Sequence, residues 1–206
     1  MMIRKWILFI VTAFFAGWAC AQSDAPISPD VLVQQTVDEV LTLIKTDPQM
    51  QAGNVKRINE VLDEKLIGRF DFRRMTILAM GRNWRDATPD QQKALVDEFK
   101  TLLVRTYSKA LTQFKNDTIV VKPLRAANDA KDVVVRSEFQ RKGDKPIPVD
   151  YSLVRANDGQ WRCYDIIVGG VSLVTNYRDD FNFRVKETGI DGLIKALADK
   201  NRALAP

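Results

Sequence analysis

Apolar residues in the first half of the chain recur at steps of three and four positions, which is the spacing of amphipathic helices. The pattern runs over residues 33–44, again over 55–66, and over the more apolar segment 70–80. Asp30 precedes the first stripe as a candidate helix cap. The sequence therefore predicts three helices in this part of the chain.

A capping box predicts the start of a fourth and longer helix. Thr88 is followed by Pro89, which is favoured in the first helical turn, and by Gln91 at the position that pairs with a threonine cap. An apolar stripe at helical spacing then extends over residues 95–114. We expect this helix to begin at Pro89.

The hydrophobic period changes from helical spacing to two in the second half of the chain, as in half-buried strands. The runs that indicate strands are residues 119–122, 133–140, 147–154 and 160–168. Lys142-Gly143-Asp144 and Asn157-Asp158-Gly159 supply turn residues between successive runs. This pattern predicts an antiparallel meander of about four strands.

Helical spacing returns after Gly169-Gly170, breaks at Gly189 and ends in a last helix near residues 191–202. Helices before and after an antiparallel sheet define an α+β fold. We expect this fold as a single domain over residues 22–206.

The N-terminus has the pattern of a secretory signal peptide. Arg4 and Lys5 precede an uncharged apolar run over residues 6–19, and Ala19-Cys20-Ala21 supplies a cleavage site. A membrane-spanning helix is the alternative, but this run falls short of the roughly 20 residues that a bilayer requires. Acylation of Cys20 is a second alternative, although the preceding residues lack the usual leucine. We therefore expect residues 1–21 to be removed and the rest to be periplasmic.

The amino-acid composition excludes more kinds of catalytic and metal site than any motif in the sequence does. The chain has no histidine, and this removes the commonest general base and the commonest zinc ligand. Loss of Arg4 and Lys5 lowers the net charge from +5 to +3, so nucleic acid is not an expected partner. Cys163 is then the one remaining cysteine, and we expect it to pack inside a strand without a disulfide.

Three stretches, taken in order, resemble the MlaC family, also called the toluene-tolerance family, of periplasmic phospholipid-binding proteins. They begin at Phe70-Asp71-Phe72 and Gly81-Arg82-Asn83-Trp84-Arg85, continue at Trp161-Arg162-Cys163-Tyr164-Asp165 and Gly170-Val171-Ser172-Leu173-Val174, and end at Gly189-Ile190-Asp191-Gly192-Leu193-Ile194. The resemblance covers almost the whole chain after the signal peptide. Gly169 departs from the family pattern, which more often has a glutamate there.

The resemblance implies a monomeric, non-enzymatic carrier without a cofactor, which binds phospholipid as its ligand in an apolar pocket. It further implies partners at both membranes: an outer-membrane lipoprotein–porin complex, and an inner-membrane ABC transporter with its substrate-binding subunit. Large apolar side chains of the helices and sheet are the candidate pocket lining. The candidates are Phe70, Phe72, Met75, Met80, Trp84, Phe99, Leu103, Tyr107, Tyr151, Ile166, Val168, Val171, Leu173, Val174, Tyr177 and Phe181. Each of them is an equally good candidate for ordinary core packing.

Some alternatives remain open from the sequence. An exported α+β enzyme acting on a small apolar substrate would have to rely on Asp, Glu, Tyr or Lys. Ser172 and Asp165 lie in the family-like stretch, but Ser172 lacks a Gly-x-Ser-x-Gly context and is better interpreted as a helix cap. Arg85 and Arg178 are candidates either for headgroup binding or for surface structure.

The signal peptide leads to a direct prediction about the exported protein. We expect its intact mass to correspond to a chain that begins at Gln22 and is recovered from the periplasmic fraction. Retention of Met1, or a diacylglyceryl group on Cys20, would contradict this expectation.

Overall fold

The computed structural model describes residues 27–111, 117–124 and 129–205, with the backbone alone described at 109–111. The predicted signal peptide, residues 1–21, lies outside these ranges. Within them, none of the helices combines the length and the hydropathy that crossing a membrane requires.

Six α-helices lie in the described ranges, joined in places by tighter or wider helical turns. They are α1 (Pro29–Thr46), α2 (Pro48–Gln51), α3 (Val55–Val61), α4 (Phe72–Met80), α5 (Pro89–Leu111) and α6 (Arg178–Ala203). The predicted helix over residues 55–66 is divided, because α3 passes into a π turn at Leu62–Leu66 and then a 3-10 turn at Ile67–Arg69. Gly189 bends α6 through a backbone φ of 73°, a conformation that favours glycine, as its sequence position predicts.

The strands form one antiparallel meander, which confirms the predicted α+β class. They are β1 (Thr118–Val121), β2 (Asp132–Gln140), β3 (Ile147–Arg155), β4 (Trp161–Val168) and β5 (Val171–Ser172), paired in that order. The fifth strand has two residues and follows the tight Gly169-Gly170 turn, where both glycines have positive φ. Such a short strand carries almost no alternation, so the predicted count of about four is one too low.

Local hydrogen bonds explain where two of the helices begin. Thr88 Oγ1 accepts the Gln91 N–H at 3.3 Å and Gln91 Oε1 accepts the Thr88 N–H at 3.0 Å, which confirms the predicted capping box. The prediction for Asp30 is wrong, because α1 begins at Pro29 and Ser28 occupies the cap position. Asp30 lies inside the first turn, and its carboxylate accepts the backbone N–H of Leu124 at 3.0 Å instead.

The buried apolar residues form three clusters that divide the molecule. The first packs α4 and α5 against α6, and Phe99 at its centre contacts Tyr177 and Phe181 edge-on, each at 5.1 Å between ring centroids. The second packs the beginning of α1 against the sheet, and the third packs the end of α1 against α2 and α3. Helix α1 is therefore shared by two clusters, whereas α6 belongs to the first.

Asp165 joins the sheet to the helical layer. Its buried carboxylate on β4 accepts the hydroxyl of Ser172 at 2.5 Å and the backbone N–H of Val174 at 3.1 Å. Ser172 Oγ in turn accepts the Thr175 N–H at 3.0 Å, just before the short turn Thr175–Tyr177 that leads into α6. The expected helix cap is not formed by Ser172, because Val174 occupies the cap position of that turn and Tyr177 that of α6. The chain between β4 and α6 is thus held by one carboxylate.

We expect Asp165→Ala to destabilise the protein by about 1–3 kcal/mol, because it leaves a partly buried hydroxyl and a buried N–H without their acceptor. Denaturant-induced unfolding measures the change. The control is Asp97→Ala, which removes an exposed ion pair to Lys93 and should change the free energy of unfolding by no more than about 0.5 kcal/mol. Equal effects of the two substitutions would contradict this role for Asp165.

Candidate functional site

A cavity of about 190 Å³, partly open to solvent, lies between α1 and the face of the sheet that α1 covers. It is lined by Leu32, Val33, Thr36, Val37, Val40, Leu41 and Ile44 of α1, by Leu66, Arg69 and Phe70 of the turns before α4, and by Ile119, Tyr151, Cys163 and Ile166 of the sheet. Most of these side chains are apolar. The cavity is therefore suited to an apolar ligand.

Helix α1 forms one wall because part of its apolar face lines the cavity instead of packing on the sheet. Two polar contacts hold it along β1: the Asp30 carboxylate accepts from Leu124 N, and Gln34 Oε1 accepts from Val121 N at 3.3 Å. Burial raises the pKa of Asp30, but the hydrogen bonds from Leu124, Ser28 and the backbone N–H groups of Asp30 and Val31 together lower it below its ordinary value. These contacts fix the beginning of α1 beside the edge strand.

The turn before α4 forms a second wall. Phe70 makes an isolated parallel bridge with Cys163, and the Asp71 N–H donates to the carbonyl of Cys163 at 2.9 Å. Asp71 also caps α4, accepting the Arg74 N–H at 2.8 Å. Phe70 is held against β4 in this way, and its ring faces the cavity.

The floor of the cavity is formed by cross-strand neighbours. Tyr151 on β3 lies directly opposite Ile166 on β4. Burial raises the pKa of Tyr151 to about 12, with hydrogen bonding to Ser137 acting in the opposite direction. Burial also raises the pKa of the Cys163 thiol to about 12, so both groups are neutral at physiological pH.

Two of the described lining residues differ from this apolar set. Thr36 donates its hydroxyl to the carbonyl of Leu32 at 2.7 Å, and this leaves it no unpaired hydrogen to direct at a ligand. Arg69 is exposed and is the one charged side chain among these lining residues. The cavity therefore combines apolar walls with a single cation at its solvent-facing rim.

Three of the sixteen predicted lining residues, Phe70, Tyr151 and Ile166, line this cavity. Most of the others belong to the cluster between α4, α5 and α6. Its buried members are Met75, Met80, Trp84, Phe99, Leu103, Val174 and Phe181, and its partly buried members are Phe72, Leu173 and Tyr177. Tyr177 and Phe181 also border a smaller cavity of about 80 Å³ beside α6.

The remaining three predicted residues are exposed. Tyr107 on α5 is 39% exposed, and Val168 and Val171 at the β4–β5 turn are 47% and 61% exposed. None of them lines the cavity beneath α1. The structure thus brings together a minority of the predicted set and places the rest in a packed core or at the surface.

The sequence prediction omitted the α1 wall, although its stripe from Val33 to Ile44 was recognised as apolar. The prediction favoured large side chains, but large side chains fill space and therefore tend to pack. Small β-branched residues such as Val33, Val37 and Val40 leave room between a helix and a sheet. A valine-rich helix face opposite an apolar sheet was the signal available in the sequence.

Ser172 and Asp165, the two residues considered for chemistry from the sequence, bind other groups of the fold. Ser172 Oγ is engaged by both Asp165 and Thr175, and neither Ser172 nor Asp165 lines the cavity. Within residues 27–111, 117–124 and 129–205, no group of three His, Cys, Asp or Glu side chains is placed to hold a metal ion. Arg178 donates from Nε to the carbonyl of Leu78 at 3.0 Å, an interaction that joins α6 to α4.

Two named relatives match nearly the whole chain. The toluene tolerance protein Ttg2D of Pseudomonas putida is 27% identical over 190 residues, which cover 92% of this chain and 85% of that protein. The intermembrane phospholipid transport system binding protein MlaC of Haemophilus influenzae is 23% identical over 197 residues, covering 93% and 91% of the two chains.

A solved structure shares both the fold and much of the sequence. It is a phospholipid-binding protein from Ralstonia solanacearum in complex with a phospholipid, with a TM-score of 0.78 and 41% identity. The match covers 86% of this chain and 98% of that chain. In addition, the family model described as MlaC protein matches residues 34–199. These matches confirm the resemblance drawn from the sequence motifs: the chain belongs to the MlaC family.

Proposed function

We propose that this protein binds phospholipid in the cavity beneath α1 and carries it through the periplasm between the outer and inner membranes, in maintenance of outer-membrane lipid asymmetry. The observation that carries the proposal is an apolar cavity with a cationic rim, in a chain whose relative of the same fold holds a phospholipid. The name of the Haemophilus influenzae relative supports a role in transport between membranes.

Exchange with partners follows from the energetics of the ligand. At roughly 0.8 kcal/mol per buried CH₂, two acyl chains with about 30 methylenes carry about 24 kcal/mol of hydrophobic free energy. A carrier must nearly match the bilayer to hold such a ligand, so little driving force remains for net movement. We propose that direction comes from an outer-membrane lipoprotein–porin complex and an inner-membrane ABC transporter with its substrate-binding subunit.

We propose that α1 moves when lipid binds, because the cavity is small. A cavity of about 190 Å³ is close to the roughly 150 Å³ that accommodates one benzene molecule, and below the roughly 300–1,000 Å³ of typical ligand pockets. It accommodates part of one acyl chain. We propose that the chains of a phospholipid fit once α1 and the sheet separate.

Binding without chemistry fits the groups around the cavity. Its described lining contains no carboxylate, and its tyrosine and cysteine both have raised pKa values that keep them protonated. The relatives are named for phospholipid binding, phospholipid transport and toluene tolerance. We therefore propose a non-enzymatic carrier rather than an enzyme acting on a small apolar substrate.

A matched pair of substitutions on α1 tests the proposal. Val37→Trp places an indole inside the cavity, and we expect phospholipid recovered per chain to fall at least about tenfold. Filling the cavity should leave the free energy of unfolding unchanged or raise it by about 0.5–2 kcal/mol. Mass spectrometry of the organic-solvent extract, paired with denaturant unfolding, measures both quantities.

The control is Val31→Trp, on the same helix but 44% exposed and outside the cavity lining. We expect this variant to carry as much phospholipid as the parent. Equal lipid content in both variants would contradict lipid binding beneath α1.

A further inference from the structure

We infer that Arg69 binds the phosphate of the lipid headgroup and holds it at the rim of the cavity beneath α1. This inference rests on the proposed function and names the group that recognises the polar end of the ligand. It concerns a phosphodiester, which phospholipids share whatever their terminal alcohol. Acyl chains then occupy the apolar interior, and the phosphate stays at the solvent-facing rim.

The first observation is the position of Arg69. It ends the 3-10 turn Ile67–Arg69, next to Phe70, whose backbone is fixed to β4 through the bridge with Cys163. Arg69 lines the cavity and is also exposed, which places its side chain where apolar wall meets water. An amphipathic ligand has its acyl chains on the apolar side of such a boundary and its headgroup on the solvent side.

The second observation is that the Arg69 side chain has no polar partner among the described residues, whereas nearby basic side chains have one. Lys65, one turn earlier, pairs with Glu64 at 2.9 Å and with Glu39 of α1 at 3.3 Å. Arg162 on β4 pairs with Asp158 at 2.5 Å. The guanidinium of Arg69 has neither a hydrogen bond nor an ion pair within the described part of the chain.

The chemistry of the guanidinium suits a phosphodiester. Its planar fork of N–H donors matches two phosphate oxygens, and it is charged at every physiological pH. One arginine and one monoanionic phosphodiester neutralise each other, so the pair leaves no net charge at the rim. A lysine in its place would keep the charge but lose the paired hydrogen bonds.

Arg85 was considered from the sequence as a headgroup contact, and it is exposed like Arg69 but lies elsewhere. It lies in the turn Gly81–Asp86 beside the helical cluster and does not line the cavity. Arg85 is therefore a matched control for the loss of one exposed positive charge.

Calorimetric titration of delipidated protein tests the inference with short-chain ligands that remain monomeric. The ligands are dihexanoyl phosphatidylglycerol, dihexanoyl phosphatidylcholine and dihexanoylglycerol, which lacks the phosphate. We expect Arg69→Gln to lower the affinity for both phospholipids about tenfold, which corresponds to about 1.4 kcal/mol of binding free energy. The affinity for dihexanoylglycerol should stay within about twofold of the parent's. The phospholipid affinity of Arg69→Lys should lie between those of the parent and Arg69→Gln. The affinity of Arg85→Gln should equal that of the parent.

Four further outcomes separate the inference from its alternatives. Raising the salt concentration should weaken phospholipid binding but not dihexanoylglycerol binding, because an exposed ion pair is screened. If Arg69→Gln lowers the affinity for all three ligands equally, or for none of them, Arg69 does not bind the phosphate. Inorganic phosphate should not bind alone, and binding as tight as that of the phospholipids would overturn the headgroup assignment. A parent protein that binds no ligand at all would instead contradict the proposed function.

Discussion

The packing of α1 against the sheet is the constraint on which the rest of the molecule depends. The helix presents a face rich in valine, and these short side chains do not reach the sheet along its whole length. The side chains around this cavity of about 190 Å³ are mostly apolar and partly exposed to solvent. An acyl chain bound there would remove that apolar surface from water, at roughly 25 cal/mol per Å². Ligand binding would therefore stabilise the folded chain.

The remaining architecture supports this arrangement. The cluster between α4, α5 and α6 is densely filled with aromatic and methionine side chains, and Asp165 fixes the chain that leads from the sheet into α6. The sheet is thereby anchored on a rigid helical body. Helix α1 is held along the edge strand through the backbone N–H groups of Leu124 and Val121. Two such hydrogen bonds contribute about 1–3 kcal/mol in all, in addition to the burial of Leu32, Val33, Val40 and Ile44 in two apolar clusters.

Local patterns predicted most of the fold. The capping box at Thr88 and Gln91 depends on residues three positions apart, and the alternation over residues 133–140 reflects a strand with one buried face. These signals are local, so a single sequence contains them. Asp30 shows the limit of this approach: its side chain resembles a cap locally, but its partner is Leu124, 94 positions away.

The lining of the cavity was harder to predict for the same reason. Which apolar face pairs with which depends on tertiary contacts, and a fully packed Phe99 has the same local pattern as a lining residue. The three predicted residues that line this cavity, Phe70, Tyr151 and Ile166, lie within the family-like segments or alternate along strands. Predicting the α1 wall required knowing that the first helix covers the sheet, which is a tertiary contact that no local pattern contains.

The thiol of Cys163 offers the most direct measurement of whether lipid occupies the space beneath α1. In a chain beginning at Gln22 it is the one cysteine, it is buried, and it lines the cavity. The measurement is the rate of maleimide alkylation of delipidated and phospholipid-loaded protein. The same comparison is made for Leu103→Cys in a Cys163→Ser background, because Leu103 is buried in the helical cluster. We expect bound phospholipid to slow alkylation at Cys163 much more than at position 103. Equal protection at both positions, or no protection at Cys163, would contradict a lipid site between α1 and the sheet.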